Sequence, residues 1–150
     1  MPQSHACLLV HIVFSTKGRA PVLTPTIRPR LHAYLGTITR NLACEDYRSG
    51  GTADHVHLAI RISRILTVAK LVEELKTTSS KWLKLQSPAL ASFAWQRGYG
   101  AFTLAPSGLL ALFNYIDNQS EHHRTKTFQD EYRTALTDHG MDYDERYVWD

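Results

Sequence analysis

Between Thr52 and Ser63 the chain reads Thr-Ala-Asp-His-Val-His-Leu-Ala-Ile-Arg-Ile-Ser, so that Val56, Leu58, Ile60 and Ile62 alternate with His55, His57, Ala59 and Arg61. A period of two marks a strand with one buried face, because successive side chains point to opposite sides of the sheet. The aliphatic set then packs inward. His55 and His57 share the other face, about 7 Å apart on a strand that rises about 3.3 Å per residue. Two imidazoles so placed are able to converge on one metal ion. The spacing alone is a weak signal, since the chain has 8 His and a His-x-His pattern arises easily by chance. Two exposed histidines on the polar face of a half-buried strand would read the same way.

The flanking periodicities narrow the fold. Residues 6–15 are a near-continuous apolar, β-branched run, which predicts a mostly buried strand. Thr16 to Pro21 breaks it with Gly18 and Pro21 and exposes two cations, Lys17 and Arg19. Ile27, Leu31, Tyr34, Leu35, Ile38 and Leu42 recur at helical steps, predicting a helix over 26–43 with Pro29 in its first turn. Glu45 to Gly51 reads as a short strand hairpinned to the histidine strand. Thr67 to Gln86 is amphipathic, with Thr67 as N-cap and Ser87-Pro88 as the stop. Phe93 to Leu104 reads as an aromatic strand interrupted at Gly98 and Gly100, where glycine suggests a bulge or close approach by another chain. The order strand, helix, two strands, helix, strand is the split β-α-β of ferredoxin-like and RRM-like domains. It predicts an α+β fold, an antiparallel sheet with helices on one face. His55 and His57 then emerge on the open face.

With 150 residues the chain is expected to form one domain. No apolar run approaches membrane-spanning length, and residues 1–5 lack the basic and apolar regions of a signal peptide, so a cytoplasmic protein without a membrane partner is expected. Cys7 and Cys44 are too few for a disulfide framework and read as buried, reduced thiols. Residues 1–128 hold 15 Lys and Arg against 7 Asp and Glu, whereas residues 129–150 hold 2 against 7. A basic body suits a polyanion, and phosphate is the usual one. The acidic stretch 129–150 reads as a C-terminal tail set against that basic surface.

A second constellation gives the histidine pair its meaning. Residues 106–123 are expected to form one helix, capped by Ser107, with Leu109, Leu112, Phe113 and Ile116 as its apolar stripe. At about 100° per residue, Tyr115, Gln119 and His122 fall on a neighbouring stripe. A phenol and a carboxamide therefore project together beside the core edge.

His55-Val-His57 with Tyr115-xxx-Gln119 closely resembles the single-tyrosine HUH transposases of small bacterial insertion sequences. The resemblance runs roughly from His5 to Trp149. It takes in His11-Ile-Val-Phe-Ser-Thr-Lys17, Gly51 to His57, Gly98-Tyr-Gly-Ala-Phe102, Tyr115-Ile-x-Asn-Gln-x-Glu-His-His-Arg124, Thr127-Phe-x-x-Glu-Tyr132 and Tyr143 to Trp149. Ala6 and Cys7 stand where the family pattern leads one to expect aromatics; no catalytic position departs from it.

The resemblance implies a metal-dependent endonuclease and strand transferase acting on single-stranded DNA at hairpin-forming element ends, through a 5′-phosphotyrosine intermediate. Tyr115 would be the nucleophile, and His55, His57 and Gln119 would hold one divalent cation, Mg²⁺ or Mn²⁺. Asp54 is a candidate to orient a histidine or else a solvated turn residue, and His122 stands beside the site, where it and His123 either contact DNA or cap the helix. The resemblance also implies a homodimer, with the apolar first strand and the glycine-interrupted aromatic strand as candidate edges. Candidates for DNA backbone contacts are Lys17, Arg19, Arg48, Arg61, Lys76, Lys81 and Arg97. Trp82 and Trp95 are candidates either to stack on a base or to pack in the core. Two other readings stay open: a noncatalytic single-strand DNA-binding module on the same fold, and an HUH replication-initiator or relaxase-type nickase.

Overall fold

A computed structural model describes residues 2–150. Four strands, β1 (Leu8–Ser15), β2 (Glu45–Gly51), β3 (His55–Ile62) and β4 (Gly100–Thr103), form one antiparallel sheet in the order β2-β3-β1-β4. The helices α1 (Ile27–Asn41) and α2 (Val68–Lys84) connect them in the expected split β-α-β pattern. Both pack on the aliphatic face, where Ile12, Phe14, Val56, Leu58 and Ile60 meet Leu31, Leu35, Leu71 and Leu75 in one cluster. Pro29 sits in the first turn of α1, where its missing N–H is no loss. The hydroxyl of Thr67 accepts from the Lys70 backbone N–H and caps α2.

Both tryptophans named as stacking candidates have structural roles. Trp95 is buried edge-on against Phe14 and Phe93 and donates its indole N–H to Ser79 Oγ at 3.0 Å. Trp82, half-buried, stacks on Tyr34. The aromatic strand is shorter than its composition suggests. Residues 93–99 leave the ladder after a single bridge between Thr16 and Trp95, because the Gln96 side chain accepts from the Ser15 N–H in place of a strand carbonyl. Gly100 does mark a close approach, but by the chain's own Tyr132, whose ring carbon would lie 2.8 Å from a Cβ there.

The histidine face is not open. Past β4, the chain returns across it as α3 (Leu109–Asp117), α4 (Gln119–His122) and α5 (Phe128–Asp138). Leu112 and Ile116 pack on Ala59, while Phe128, Tyr132 and Leu136 pack with Val13 and Phe102. The stretch expected to be an acidic tail therefore begins with a helix. Asp130 and Asp138 face outward, Glu131 is buried, and the i, i+4 apolar residues fix the helix to the sheet. The expected single helix over 106–123 is interrupted at Asn118 (φ −105°, ψ 24°), and Ser107 lies in a 3₁₀ turn with no capping bond. β1 is paired on both sides, so it is no dimer edge; the outer strands are β2 and β4. Cys44 is buried and Cys7 exposed, since β1 begins only at Leu8. Among the described residues no helix is long and apolar enough to cross a membrane.

Candidate active site

The pairing of β1 with β3 sets the floor of the site. Val13 stands opposite His57 and Ser15 opposite His55, with His11 opposite Ala59. Directly opposed residues share a face, so His11, His55 and His57 all point towards the helices α3 to α5. His55 and His57 are each 1% exposed. Burial lowers the His57 pKa to about 4, against the opposing pull of Glu131, and burial together with His57 lowers that of His11 to about 3. Both imidazoles are thus neutral at pH 7.

Neighbours fix each ring. His55 Nδ1 lies 2.7 Å from Asp54 Oδ1 and 3.0 Å from Thr52 Oγ1, both in the tight β2–β3 turn. Burial would raise the Asp54 pKa, but the bond and charge of His55, with Thr52 and His123, together outweigh it and hold the carboxyl below its ordinary value. A carboxylate accepts, so Nδ1 carries the proton and Nε2 presents a lone pair. His57 Nδ1 lies 2.8 Å from His11 Nε2, which leaves His57 Nε2 facing the cluster.

The roof comes from the late helices. Gln119 is buried, donates its amide N–H to the Tyr115 carbonyl at 3.1 Å and so aims Oε1 at His55 Nε2, 3.0 Å away. Two lone pairs facing each other at that distance repel unless a cation lies between them or one ring changes tautomer. The donor chemistry of His55, His57 and Gln119 therefore fits a bound divalent ion. The Tyr115 ring stands edge-on to His57, centroids 5.5 Å apart, and 5.0 Å from that of His122. Burial, then the charge of the neighbouring Glu131, pushes the Tyr115 phenol well above its ordinary value of 10.0, with Gln119 opposing. A cleft of about 440 Å³ lined by Thr52, Asp54, His55, His123 and Phe128 opens beside the cluster.

The structure thus brings together Tyr115, His55, His57, Gln119, Asp54 and His122. It adds His11 and Glu131, to which sequence reading assigns no role, and brings in His123 from the His122-His123 pair. His55, His57, His123 and Glu131 each offer a donor atom within 4.8 Å of the others. Helical spacing held the signal for Glu131: Phe128, Glu131, Tyr132 and Leu136 form the buried stripe of a helix capped by Thr127. Burial would raise the Glu131 pKa, but His123 and His57 beside it outweigh that and hold the carboxyl well below its usual range.

The basic candidates separate by environment. Arg48 pairs with Asp117, Arg61 with Glu45, and Arg19 lies over the Trp149 ring. The Lys76 ammonium donates to the carbonyls of Gln96, Arg97 and Gly98. Among the described residues, Lys17, Lys81 and Arg97 are exposed without an ion-pair partner.

Curated proteins offer no match to this chain. Among solved structures, it is similar to a Deinococcus radiodurans R1 protein described as a transposase. The TM-score is 0.60 and the identity 23%, over 79% of this chain and 98% of that one. It is also similar to a REP-associated tyrosine transposase bound to a REP hairpin, at a TM-score of 0.60 and 13% identity, over 82% of this chain and 74% of that one. Identities this low establish a shared fold. The family model for IS200-like transposases matches residues 4–119, from before β1 to Gln119, and the chain belongs to that family.

Proposed function

We propose that this transposase cleaves and rejoins single-stranded DNA at insertion-sequence ends through a 5′-phosphotyrosine link on Tyr115, using one divalent cation, Mg²⁺ or Mn²⁺, at His55, His57 and Gln119. One observation carries the reading. A half-buried phenol from α3 converges with two buried imidazoles from β3 and a buried amide from α4 within a single chain.

The reaction is an exchange of esters. A bond forms between Tyr115 Oη and phosphorus as the bond from phosphorus to the 3′ oxygen breaks. The phenolic proton is lost and the departing 3′ oxygen takes one up. One phosphodiester replaces another, so a 3′-OH can later attack the link and rejoin the strand without a nucleoside triphosphate. A bound cation would polarise the scissile phosphate and offset the charge developing on its oxygens. The chain's own residues prepare the site. Asp54 and Thr52 hold His55, His11 holds His57, and the Gln119 amide is anchored on the backbone of Tyr115 itself. Burial and Glu131 keep the phenol protonated at rest.

The fold shared with a transposase solved on a REP hairpin supports a hairpin-forming substrate. Lys17, Lys81 and Arg97 are the cations we assign to its backbone. We read the active form as a homodimer, for which the outer strands β2 and β4 offer sheet edges.

The test is incubation with Mg²⁺ or Mn²⁺ and single-stranded oligonucleotides from the element ends. A DNA adduct that survives denaturation should form, and it should vanish in Tyr115→Phe while DNA binding persists. DNA binding with no adduct under either metal would leave the noncatalytic module as the better reading.

A further inference from the structure

The Glu131 carboxylate is the least explained group in the molecule. It is 7% exposed and reaches the cluster from α5. Oε1 lies 3.0 Å from His57 Nε2, and Oε2 lies 3.0 Å from both His122 Nε2 and His123 Nε2. These distances suit hydrogen bonds, but the directions do not. Neither carboxylate oxygen, nor His57 Nε2, nor His122 Nε2 has a partner in hydrogen-bond geometry. Buried polar atoms are rarely left so, because each unmet group costs about 1–3 kcal/mol.

His123 repeats the arrangement of His55. Its Nδ1 lies 2.7 Å from the Lys126 carbonyl, which can only accept, so Nδ1 carries the proton. In the neutral ring Nε2 is then a lone pair. It faces Gln119 Oε1 at 3.0 Å and Glu131 Oε2 at 3.0 Å, both acceptors. With the rings neutral, lone pairs from β3, α4, the turn after α4 and α5 are therefore crowded round one small volume.

We infer that His123 and Glu131 are further ligands of the cation, so that the chain binds it through three imidazoles, one carboxylate and the Gln119 amide oxygen. This rests on the reading of the cluster as a metal centre. A single cation turns each of these mutual repulsions into an attraction, whereas moving protons among the rings relieves them only one at a time. The competing arrangement, a protonated His123 paired with Glu131, leaves His57 Nε2 unmet. Ligation by both residues also ties α5 to the sheet through the ion, adding to the packing that Phe128 and Tyr132 already provide.

Mn²⁺ is the probe for the test. Pulsed EPR on the full chain loaded with Mn²⁺ counts coordinated imidazole nitrogens; three are expected in the wild type and two in His123→Ala. Isothermal titration should show the Mn²⁺ Kd rising at least about tenfold in His123→Ala and in Glu131→Gln. Should either variant fail to fold by circular dichroism, the wild-type count decides alone. A count of two imidazoles in the wild type, or unchanged affinity in both folded variants, overturns the inference. A wild-type chain that binds no Mn²⁺ overturns it together with the metal role proposed above. Three imidazoles with no DNA adduct would uphold it while the catalytic reading fell.

Discussion

His11 Nε2 and His57 Nδ1 lie 2.8 Å apart, linking the centre of β1 to the histidine strand through their side chains. When His57 Nε2 gives its lone pair to a cation, Nδ1 keeps the proton and donates it to His11, which stays neutral because burial holds its pKa down at about 3. His11 thus does for His57 what Asp54 does for His55. Such partners fix the tautomer and orientation of a metal-binding ring, and losing one typically costs about 10- to 100-fold in metal affinity. His11→Leu should weaken Mn²⁺ binding by that order while circular dichroism stays unchanged. His11→Asn, whose amide oxygen can accept, should recover part of the loss. Equal affinity in all three proteins would make the hydrogen bond incidental.

Gly50 decides how closely α3 can lie on β2. A Cβ there would stand 2.5 Å from Ile116 Cγ2 and 3.1 Å from the Ile116 carbonyl oxygen. Backbone cannot yield as a side-chain tip does, so Gly50→Ala must lift the helix that carries Tyr115. Overpacking of this kind costs about 1–3 kcal/mol, and the urea midpoint should fall accordingly. The rate of adduct formation should fall by more than the loss of folded protein explains, because a displacement near 1 Å can cost about 100-fold in a positioned reaction. A rate that simply follows the folded fraction would show that α3 has not moved.

Such packing limits what a sequence can convey. Alternation in β3 and the three- and four-residue steps of α1 and α2 each report a local face, and the order of elements then gives the sheet. The faces that carry His55 and His57, and Tyr115 and Gln119, are legible in the same way, whereas their joint role is read from the family resemblance. His11 needs the register of β1 on β3, which places it diagonally across from His57. Glu131 needs more. Its stretch is dominated by outward-facing charge, and only the stripe Phe128, Tyr132 and Leu136 betrays a helix that covers the sheet. The break at Asn118 is illegible because helical bonding resumes at once, with His122 N–H reaching the Asn118 carbonyl and His123 N–H that of Gln119.

Lys76 separates the basic residues that hold the fold from those available to DNA. Its ammonium donates to three carbonyls in the 96–98 loop, and burial lowers its pKa to about 8. Lys76→Met keeps the stem and removes the donors, so it should lower the thermal midpoint and release the loop. Lys81→Ala and Arg97→Ala should leave the stability within about 0.5 kcal/mol of wild type, as surface changes do. Each should instead weaken single-strand binding and reduce the slope of log affinity against log salt by about 0.7 for every phosphate no longer neutralised. A shallower slope in Lys76→Met with an unmoved midpoint would reverse this assignment.

Acid should unfold the metal-free protein through its buried histidines. His57 and His32 have pKa values lowered to about 4, and His11 to about 3, in every case chiefly by burial. His32 lies on α1, far along the chain from the cluster, with its Nε2 unpartnered and Arg28 adding to the shift. In the unfolded chain these rings titrate near 6.5, so below that pH the unfolded state binds protons that the folded state refuses. Stability is therefore complete above about pH 6.5 and declines as pH falls towards 4. Urea midpoints of the metal-free protein at pH 7.5, 6 and 5 should fall in that order. His32→Leu should flatten the decline without touching the cluster. A midpoint constant from pH 7.5 to 5 would mean that these rings take up protons in the folded state, and the neutral imidazoles on which the site is built would have to be abandoned.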